Sequence, residues 1–443
     1  MDTIRKWILE NNITEVECLI PDITGNARGK IIPANKFLKD KGMRLPESLF
    51  FQTITGDWPD DDTMIDLTEK DMILEPDPQT IRFVPWAKEP TAQIIHNCYD
   101  ASGDLVGIAP RSVLKRVLKL YHDKGWTPIV APELEFFLVK QNLDWDYPLE
   151  PPVGRNGRPE TARQSFSIDA VNEFDPLFED MYDFCEVQEL EVDTLIHESG
   201  AAQMEINFDH GEALESADQV FLFKRTVRES ALTHNVYATF MAKPMEHEPG
   251  SAMHIHQNIL DKDGNNLFSN PDGSNSKALY NYIAGLQKYT PAGLSFFAPN
   301  VNSYRRLVFG DSAPTNLEWG EDNRTVGLRI PVSDGKSRRI ENRYAGADAN
   351  PYLAMAVSLA CGYLGMVQEL EPTDIATEDT SQDPYELPRT VEEALRLLEN
   401  CDELKEILGE RFVAAYVAIK RKEYQTFFQV ISSWEREFLL LNV

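Results

Sequence analysis

Apolar and polar residues alternate with a period of two in four separate stretches of the chain, the spacing of half-buried strands. In residues 129–139, Glu133 and Glu135 fall on one face, opposite Leu134 and Phe136. In 201–208, Gln203, Glu205 and Asn207 oppose Met204 and Ile206. In 252–259, His254, His256 and Asn258 oppose Met253 and Ile255. In 338–344, Arg339, Glu341 and Arg343 share a face.

The rest of the pattern places these strands in a larger frame. Residues 14–21 read as a strand, Asp22-Ile23-Thr24-Gly25 as a turn and 28–32 as the returning strand. A second turn cluster lies at 56–62, and 83–86 and 92–99 read as further strands. The first hundred residues are therefore expected to hold short strands and turns. At Pro110 the period lengthens: Val113, Leu114, Val117, Leu118 and Tyr121 have helical spacing, and Gly125 closes the helix. A domain boundary is expected just before it, giving domains 1–106 and 107–443. Residues 142–161, rich in Pro and Gly, predict a surface loop. The apolar run 352–367 is shorter than the roughly 20 residues that span a bilayer. It follows Asn350-Pro351, a good helix start, and predicts a buried helix. The tail from Glu392 reads as mostly helical. There is no internal repeat or low-complexity tract.

At 443 residues the chain exceeds one ordinary core, and 42% hydrophobic with 26% charged residues suits a soluble globular protein. A net charge of -29 repels nucleic acid and anionic membranes, so neither is expected as a partner. Cys18, Cys98, Cys185, Cys361 and Cys401 are scattered and form no C-x-x-C pair. They predict neither a disulfide framework nor a zinc knuckle, and fit a reducing cytoplasm. The acidic N-terminus has no apolar signal core, so a cytoplasmic location is expected.

Any one of the polar faces would serve as an ordinary half-exposed strand. Four together, carrying Glu, His and Arg, predict a site, because buried glutamate normally needs a counter-charge or a metal. Carboxylates with one histidine suit a hard divalent cation, magnesium or manganese, rather than structural zinc. Arg305, Arg306, Arg324, Arg329, Arg338, Arg339 and Arg343 crowd the same part of the sequence. Arginines beside a carboxylate-held metal suggest phosphoryl transfer. Gly25 to Lys30 is one residue short of a phosphate-binding P-loop and has Ile31 where Ser or Thr is needed. There is no G-x-G-x-x-G after a strand, so a nucleotide would be held by another architecture.

The chain resembles the glutamine synthetase family over nearly its whole length. The matching pieces occur in the family's order: A-P-E-L-E-F-F from Ala131, E-S-G-A-A-Q-M-E from Glu198 and K-P-M from Lys243. Then come G-S-A-M-H-I-H from Gly250, N-S-Y-R-R-L-V from Asn302, N-R-T-V-G-L-R-I-P from Asn323, R-R-I-E-N-R from Arg338 and N-P-Y-L from Asn350. The resemblance implies an α+β fold: a small N-terminal β-grasp domain, then a larger catalytic domain with a curved antiparallel half barrel and surrounding helices. A neighbouring subunit's small domain would complete the half barrel, implying a homo-oligomeric ring, a dodecamer of two stacked hexamers.

Carried over by motif, Glu135, Glu198 and Glu205 look like ligands of the metal nearer the acceptor. Glu133, His254 and Glu341 look like those of the metal bridging ATP phosphates. Two to three magnesium or manganese ions per site are implied, with ATP as co-substrate. His256, Lys336 and Arg339 resemble nucleotide contacts. Arg306 and Arg343 resemble the clamps on glutamate, with Gly250 as a backbone contact. Arg324 and Arg329, with Arg306, resemble the catalytic arginines around the transferred phosphoryl group. The implied reaction phosphorylates the γ-carboxylate of glutamate, and an amine then displaces phosphate from the γ-glutamyl phosphate.

Departures from the family concern which amine attacks. Glutamine synthetases bind ammonium through an Asp of a D-G-S-S segment. Here that stretch is Phe51-Gln52-Thr53-Ile54, before Gly56-Asp57-Trp58. The flap Glu before Ala-Pro is also missing, since Asp311 and Ser312 precede Ala313-Pro314. A Tyr of the ammonium site is replaced near Ser165-Phe166, and Pro249 stands where the family has Asn. Losing acids around a small cation weakens ammonium binding and makes room for a carbon chain. The chain is most similar to the γ-glutamylpolyamine (γ-glutamylputrescine) synthetase branch, which implies a polyamine such as putrescine or spermidine, or a monoamine. Trp58 and Asp60-Asp61-Asp62 either form a solvated hairpin loop or attract a polyamine's distal ammonium. Tyr385 lies where some bacterial members carry an adenylylated tyrosine; that regulation is not implied here. The alternatives are glutamine synthesis from ammonium and an inactive structural or regulatory ring protein.

Overall fold

The computed structural model describes residues 2–39, 43–60, 70–307 and 313–443. Asp61, Asp62, Asp311 and Ser312, singled out above, lie outside them.

The N-terminal part is built on a six-stranded mixed sheet. Its strands are β1 (Glu15–Pro21), β2 (Ala27–Pro33), β3 (Met43–Pro46), β4 (Asp71–Pro76), β5 (Arg82–Phe83) and β6 (Thr91–Tyr99). The order is β2-β1-β6-β4-β3, with β5 on β6 and a parallel β1–β6 pair. The expectation of strands and turns alone needs correcting, because helix α1 (Asp2–Glu10) opens the chain and a short α2 (Ala34–Phe37) follows β2. Only Ile4 and Ile8 of α1 are buried, one turn apart, against Val16, Cys18 and Ile94. One apolar pair in nine residues is a weak periodic signal. The expected strand at 83–86 shrinks to Arg82–Phe83.

The second sheet has nine strands. They are β7 (Thr127–Lys140), β8 (Val192–His197), β9 (Gln203–Phe208), β10 (Gly211–Glu212), β11 (Val236–Thr239), β12 (Met253–Leu260), β13 (Trp319–Glu321), β14 (Leu328–Ile330) and β15 (Ile340–Asn342). The order is β13-β14-β15-β12-β7-β9-β8, with β10 and β11 also on β7. All pairs are antiparallel except β13–β14. The sheet curves until it is nearly closed.

Helices pack behind it. They are α3 (Pro110–His122), α4 (Ile168–Asn172), α5 (Asp175–Val187), α6 (Ala213–Thr233), α7 (Lys277–Phe297), α8 (Pro351–Val367), α9 (Val391–Glu399), α10 (Asp402–Leu408), α11 (Glu410–Phe427) and α12 (Ser433–Phe438). As the sequence predicts, α8 is buried almost all round. It lies so close to α7 that a side chain at Gly285 would collide with Cys361 O and Gly365. Its N-cap, Asn350, accepts from the Tyr352 N–H at 3.0 Å. The same residue donates to Asp22 O at 2.9 Å in the β1–β2 turn, tying the N-terminal sheet to the helix layer. Arg225 of α6 does the same to Glu17 of β1 at 2.6 Å. All five cysteines are free, and no helix among the described residues is long and apolar enough to cross a membrane.

Candidate active site

The long strand β7 is the spine of the site. In strand register Glu133 lies opposite His254 of β12 and Asn207 of β9, and Glu135 opposite Glu205. Further out, His256 faces Glu341 of β15, which faces Arg329 of β14. Directly opposed residues share a sheet face, so the alternation in each strand becomes one continuous polar surface. Glu198 joins it from the β8–β9 turn, where its N–H donates to Gln203 O at 2.8 Å.

Glu133, Glu135, Glu198, Glu205 and His254 wall a cavity of about 590 Å³, together with Gly250, Arg306, Arg324, Arg329 and Arg343. Glu341 is 1% exposed and lies behind the lining, bonded to two of its arginines. It accepts from Arg329 at 2.7 Å and from Arg343 at 2.5 Å. Burial works against its charge, but Arg343 and then the imidazoles prevail and hold its carboxyl at about 2. Glu133 accepts from His256 Nε2 at 2.8 Å, while His256 Nδ1 accepts from Arg339 Nε at 3.1 Å. Burial would also raise Glu133, yet hydrogen bonds from His254 and His256 hold it far below the usual carboxylate range.

The other end of the cavity has the opposite character. Burial, and then the charge of Glu198, push Glu135 up to about 8. Burial, and then Glu133 and the neighbouring carboxylates, push Glu205 up to about 10. Burial also raises Glu198. Arg306, Arg343 and Arg324 oppose these shifts without offsetting them, and a bound cation would relieve the remaining repulsion. Glu133, His256 and Glu341 present ligand atoms within 4.8 Å of one another, as do Glu133, Glu205 and His254. Asn207 Oδ1 is buried without a hydrogen-bond partner. Oxygen donors with one imidazole per cluster fit magnesium or manganese. The sequence grouping put Glu133 with His254 and Glu341; the structure sets Glu133 in both clusters and brings His256 to one of them.

The arginine crowd divides in space. Arg306, Arg324, Arg329 and Arg343 line the cavity, and Arg339 meets His256 outside its lining. Arg305 faces a different cavity, and Arg338 caps a turn through Gly273 O at 3.2 Å and Asn275. Lys336 is exposed and does not line the cavity. Nor do Phe51 to Ile54 or Trp58; instead the Ile54 N–H donates to Glu423 of α11 at 2.7 Å. Asp60 pairs with Lys422 of the same helix at 2.5 Å.

Sequence reasoning missed Glu160, at the end of the predicted surface loop. Its carboxylate pairs with His197 Nε2 at 3.0 Å and accepts from the Ala202 N–H at 2.7 Å. The other nitrogen of His197 lies 2.6 Å from Glu198 O, so Glu160 braces the turn that carries Glu198. Partners 37 residues apart leave no periodic trace. Phe166 lines the cavity from the same loop with a φ of 63°, rare for a bulky residue.

A nearly closed, largely antiparallel sheet with a carboxylate, imidazole and guanidinium face turned into a cavity defines an enzyme of the glutamine synthetase type. A solved structure described as "Apo GmaS without ligand" superposes with a TM-score of 0.87 at 26% identity, covering 100% of both chains. Residues 107–439 match the family described as glutamine synthetase, catalytic domain. The chain belongs to the glutamine synthetase family. It is 36% identical to the gamma-glutamylputrescine synthetase PuuA of Escherichia coli (strain K12), over 97% of this chain and 92% of that protein. It is 32% identical to the glutamine synthetase of Halobacterium salinarum, over 94% and 91% respectively.

Proposed function

We propose that this protein joins the γ-carboxylate of glutamate to a primary amine at the expense of ATP, by way of a γ-glutamyl phosphate. The observation that carries this reading is one cavity holding four glutamates, His254 and four arginines in a chain of this family. A carboxylate is a poor electrophile at neutral pH, so phosphorylation must precede attack. Arg306 and Arg343, with the backbone of Gly250, hold glutamate. A side chain at Gly250 would strike Arg306 and Ala242 O, so glycine is what lets this backbone pack against Arg306. Arg324 and Arg329 stabilise charge on the phosphoryl group in transfer. His256, Lys336 and Arg339 meet the nucleotide. Two to three magnesium or manganese ions, held by Glu133, Glu135, Glu198, Glu205, His254 and Glu341, neutralise the phosphate oxygens when bound.

The acceptor is a polyamine such as putrescine or spermidine, or a monoamine, rather than ammonium. Beside Glu198 the wall is made by Phe166, Ile196 and Pro249, which offer a carbon chain apolar contact and a bare ammonium nothing. The greater identity to PuuA than to the Halobacterium glutamine synthetase supports this reading.

The working particle is a homo-oligomeric ring, a dodecamer of two stacked hexamers, in the cytoplasm. Each small domain, 1–106, lends its 51–58 segment to a neighbour's catalytic domain, 107–443. Two features support this: that segment does not line the chain's own catalytic cavity, and the tail exposes Phe428, Ile431, Trp434, Leu440 and Leu441.

The test is phosphate release with glutamate, ATP and magnesium. Ammonium, putrescine, spermidine, ethanolamine and a simple alkylamine are added one at a time, with products checked by mass. Strong release with an organic amine and little with ammonium is expected. Release with ammonium alone would make the protein a glutamine synthetase. No release with any acceptor from a folded, ATP-binding ring would favour the inactive scaffold.

A further inference from the structure

A second cavity, of about 740 Å³, lies where the β1–β2 turn, α6, the end of α7 and α11 meet. It shares a wall with the catalytic cavity: Arg305 faces the second and Arg306 the first. These neighbours end the short helical turn Val301–Arg305.

The second cavity is cationic in a chain whose net charge is -29. Its charged lining is Lys224, Arg228, Arg305 and Lys420 against Asp348 and Glu423. Lys420 and Glu423 neutralise each other at 2.8 Å. Asp348 uses one carboxylate oxygen for Asn300 and Ser303, at 2.7 and 2.6 Å. Lys224 donates to Ala347 O and Ala349 O at 2.6 and 3.0 Å. Arg228 and Arg305 have no hydrogen-bond acceptor among the described residues; Arg228 only lies 5.1 Å over the Phe240 ring. Lys224 lies over that ring too, at 5.4 Å, so two cations share one aromatic ring. Burial, and then the charge of Arg228, push the Lys224 ammonium down to about 7. Leu353, Tyr416 and Phe427 add apolar wall.

Two exposed guanidiniums with no acceptor among the described residues, beside apolar wall, can grip an anion with an apolar body. We infer that this cavity is a regulatory site for a small organic anion, a carboxylate or a phosphate on an apolar body, gripped by Arg228 and Arg305. Occupation would act on catalysis through the Arg305-Arg306 turn. The binding half is independent of the ligase reading, so each can fail alone.

The test titrates benzoate, phenyl phosphate and neutral benzamide into the full-length protein by calorimetry, with ADP, magnesium and glutamate saturating the catalytic cavity. One of the two anions should bind and benzamide should not; which anion binds separates carboxylate from phosphate recognition. Arg228→Gln and Arg305→Gln should each weaken the binding about tenfold, the worth of one charge-assisted contact. Arg228→Lys should recover part of it, which excludes misfolding as the cause. In the phosphate-release assay the bound anion should shift the KM for glutamate in native protein and not in Arg228→Gln. Equal binding to native and variant proteins, no binding by either anion, or binding abolished by glutamate would overturn the site. Binding without a shift in KM would overturn its regulatory role.

Discussion

Glu341 Oε2 accepts a hydrogen bond from Arg329 Nη1 at 2.7 Å, across paired strands and behind the arginine wall of the catalytic cavity. With Arg343 on its other oxygen, Glu341 is the counter-charge for two guanidiniums. Glu341→Ala should therefore cost about 3 kcal/mol of stability by stranding them, as well as abolishing phosphate release. Glu341→Gln, which keeps the shape and one of the two acceptor oxygens, should lose less stability and still lose at least about 100-fold in kcat. Denaturant unfolding and the phosphate-release assay read the two effects separately.

Glu205 should behave in the opposite way when no metal is present. Burial, and then the carboxylates of Glu133, Glu135 and Glu198, make its ionised form costly, so without metal the folded chain must keep it protonated and Glu205→Gln removes that cost. In chelator the variant should melt above the native protein. Added magnesium should raise the native melting temperature by mass action and leave the variant nearly unmoved. A variant that melts lower in chelator would show that the site is not charge-frustrated.

Arg111 of α3 is 4% exposed and joins Asp218 of α6, at 2.7 Å, to Asp77 near β4, at 2.9 Å. Tyr352 of α8 adds a hydrogen bond to Asp218 at 2.6 Å. Arg111→Ala should destabilise by about 3–5 kcal/mol, since it leaves two carboxylates facing each other in a buried place. Equilibrium denaturation measures the loss, and a double variant with Asp218→Asn should recover part of it.

His96 of β6 provides a pH dependence remote from the metal cluster. Burial pushes its imidazole down to about 4 from 6.5. Between those values the unfolded chain binds the proton and the folded chain does not. Stability should therefore fall as pH drops from 6.5 to about 4, by on the order of 3 kcal/mol. His96→Phe should flatten that part of the stability profile. A variant with the native slope there would mean that other groups set it.

Phe166 should contribute to the choice of acceptor. Phe166→Ala removes apolar wall from the cavity and should lower kcat/KM for the best organic amine by roughly tenfold, with a smaller effect on ammonium. Rates with each amine, at saturating ATP and glutamate, test this. An equal loss with both acceptors would place Phe166 outside the amine site.

The strand periods and the helix start at Asn350-Pro351 were legible because they are local. A strand must put Glu133 and Glu135 on one face, and an N-cap followed by an apolar run must begin a helix. Helix α1 was not legible, since its burial rests on Ile4 and Ile8 alone. Nor was the brace from Glu160 to His197, whose partners meet only when the loop lies over the sheet.

By itself, then, the sequence determined which residues share a face, and by resemblance the family and its motifs. Tertiary structure decided the rest. Seven arginines within 39 residues of sequence look alike, yet four enter the catalytic cavity, one meets His256, one caps a turn and one serves the second cavity. The physical reason is that charge acts through space. Arg305 and Arg306 are adjacent in the chain, but the backbone between them forms a wall, and each guanidinium answers to the groups on its own side.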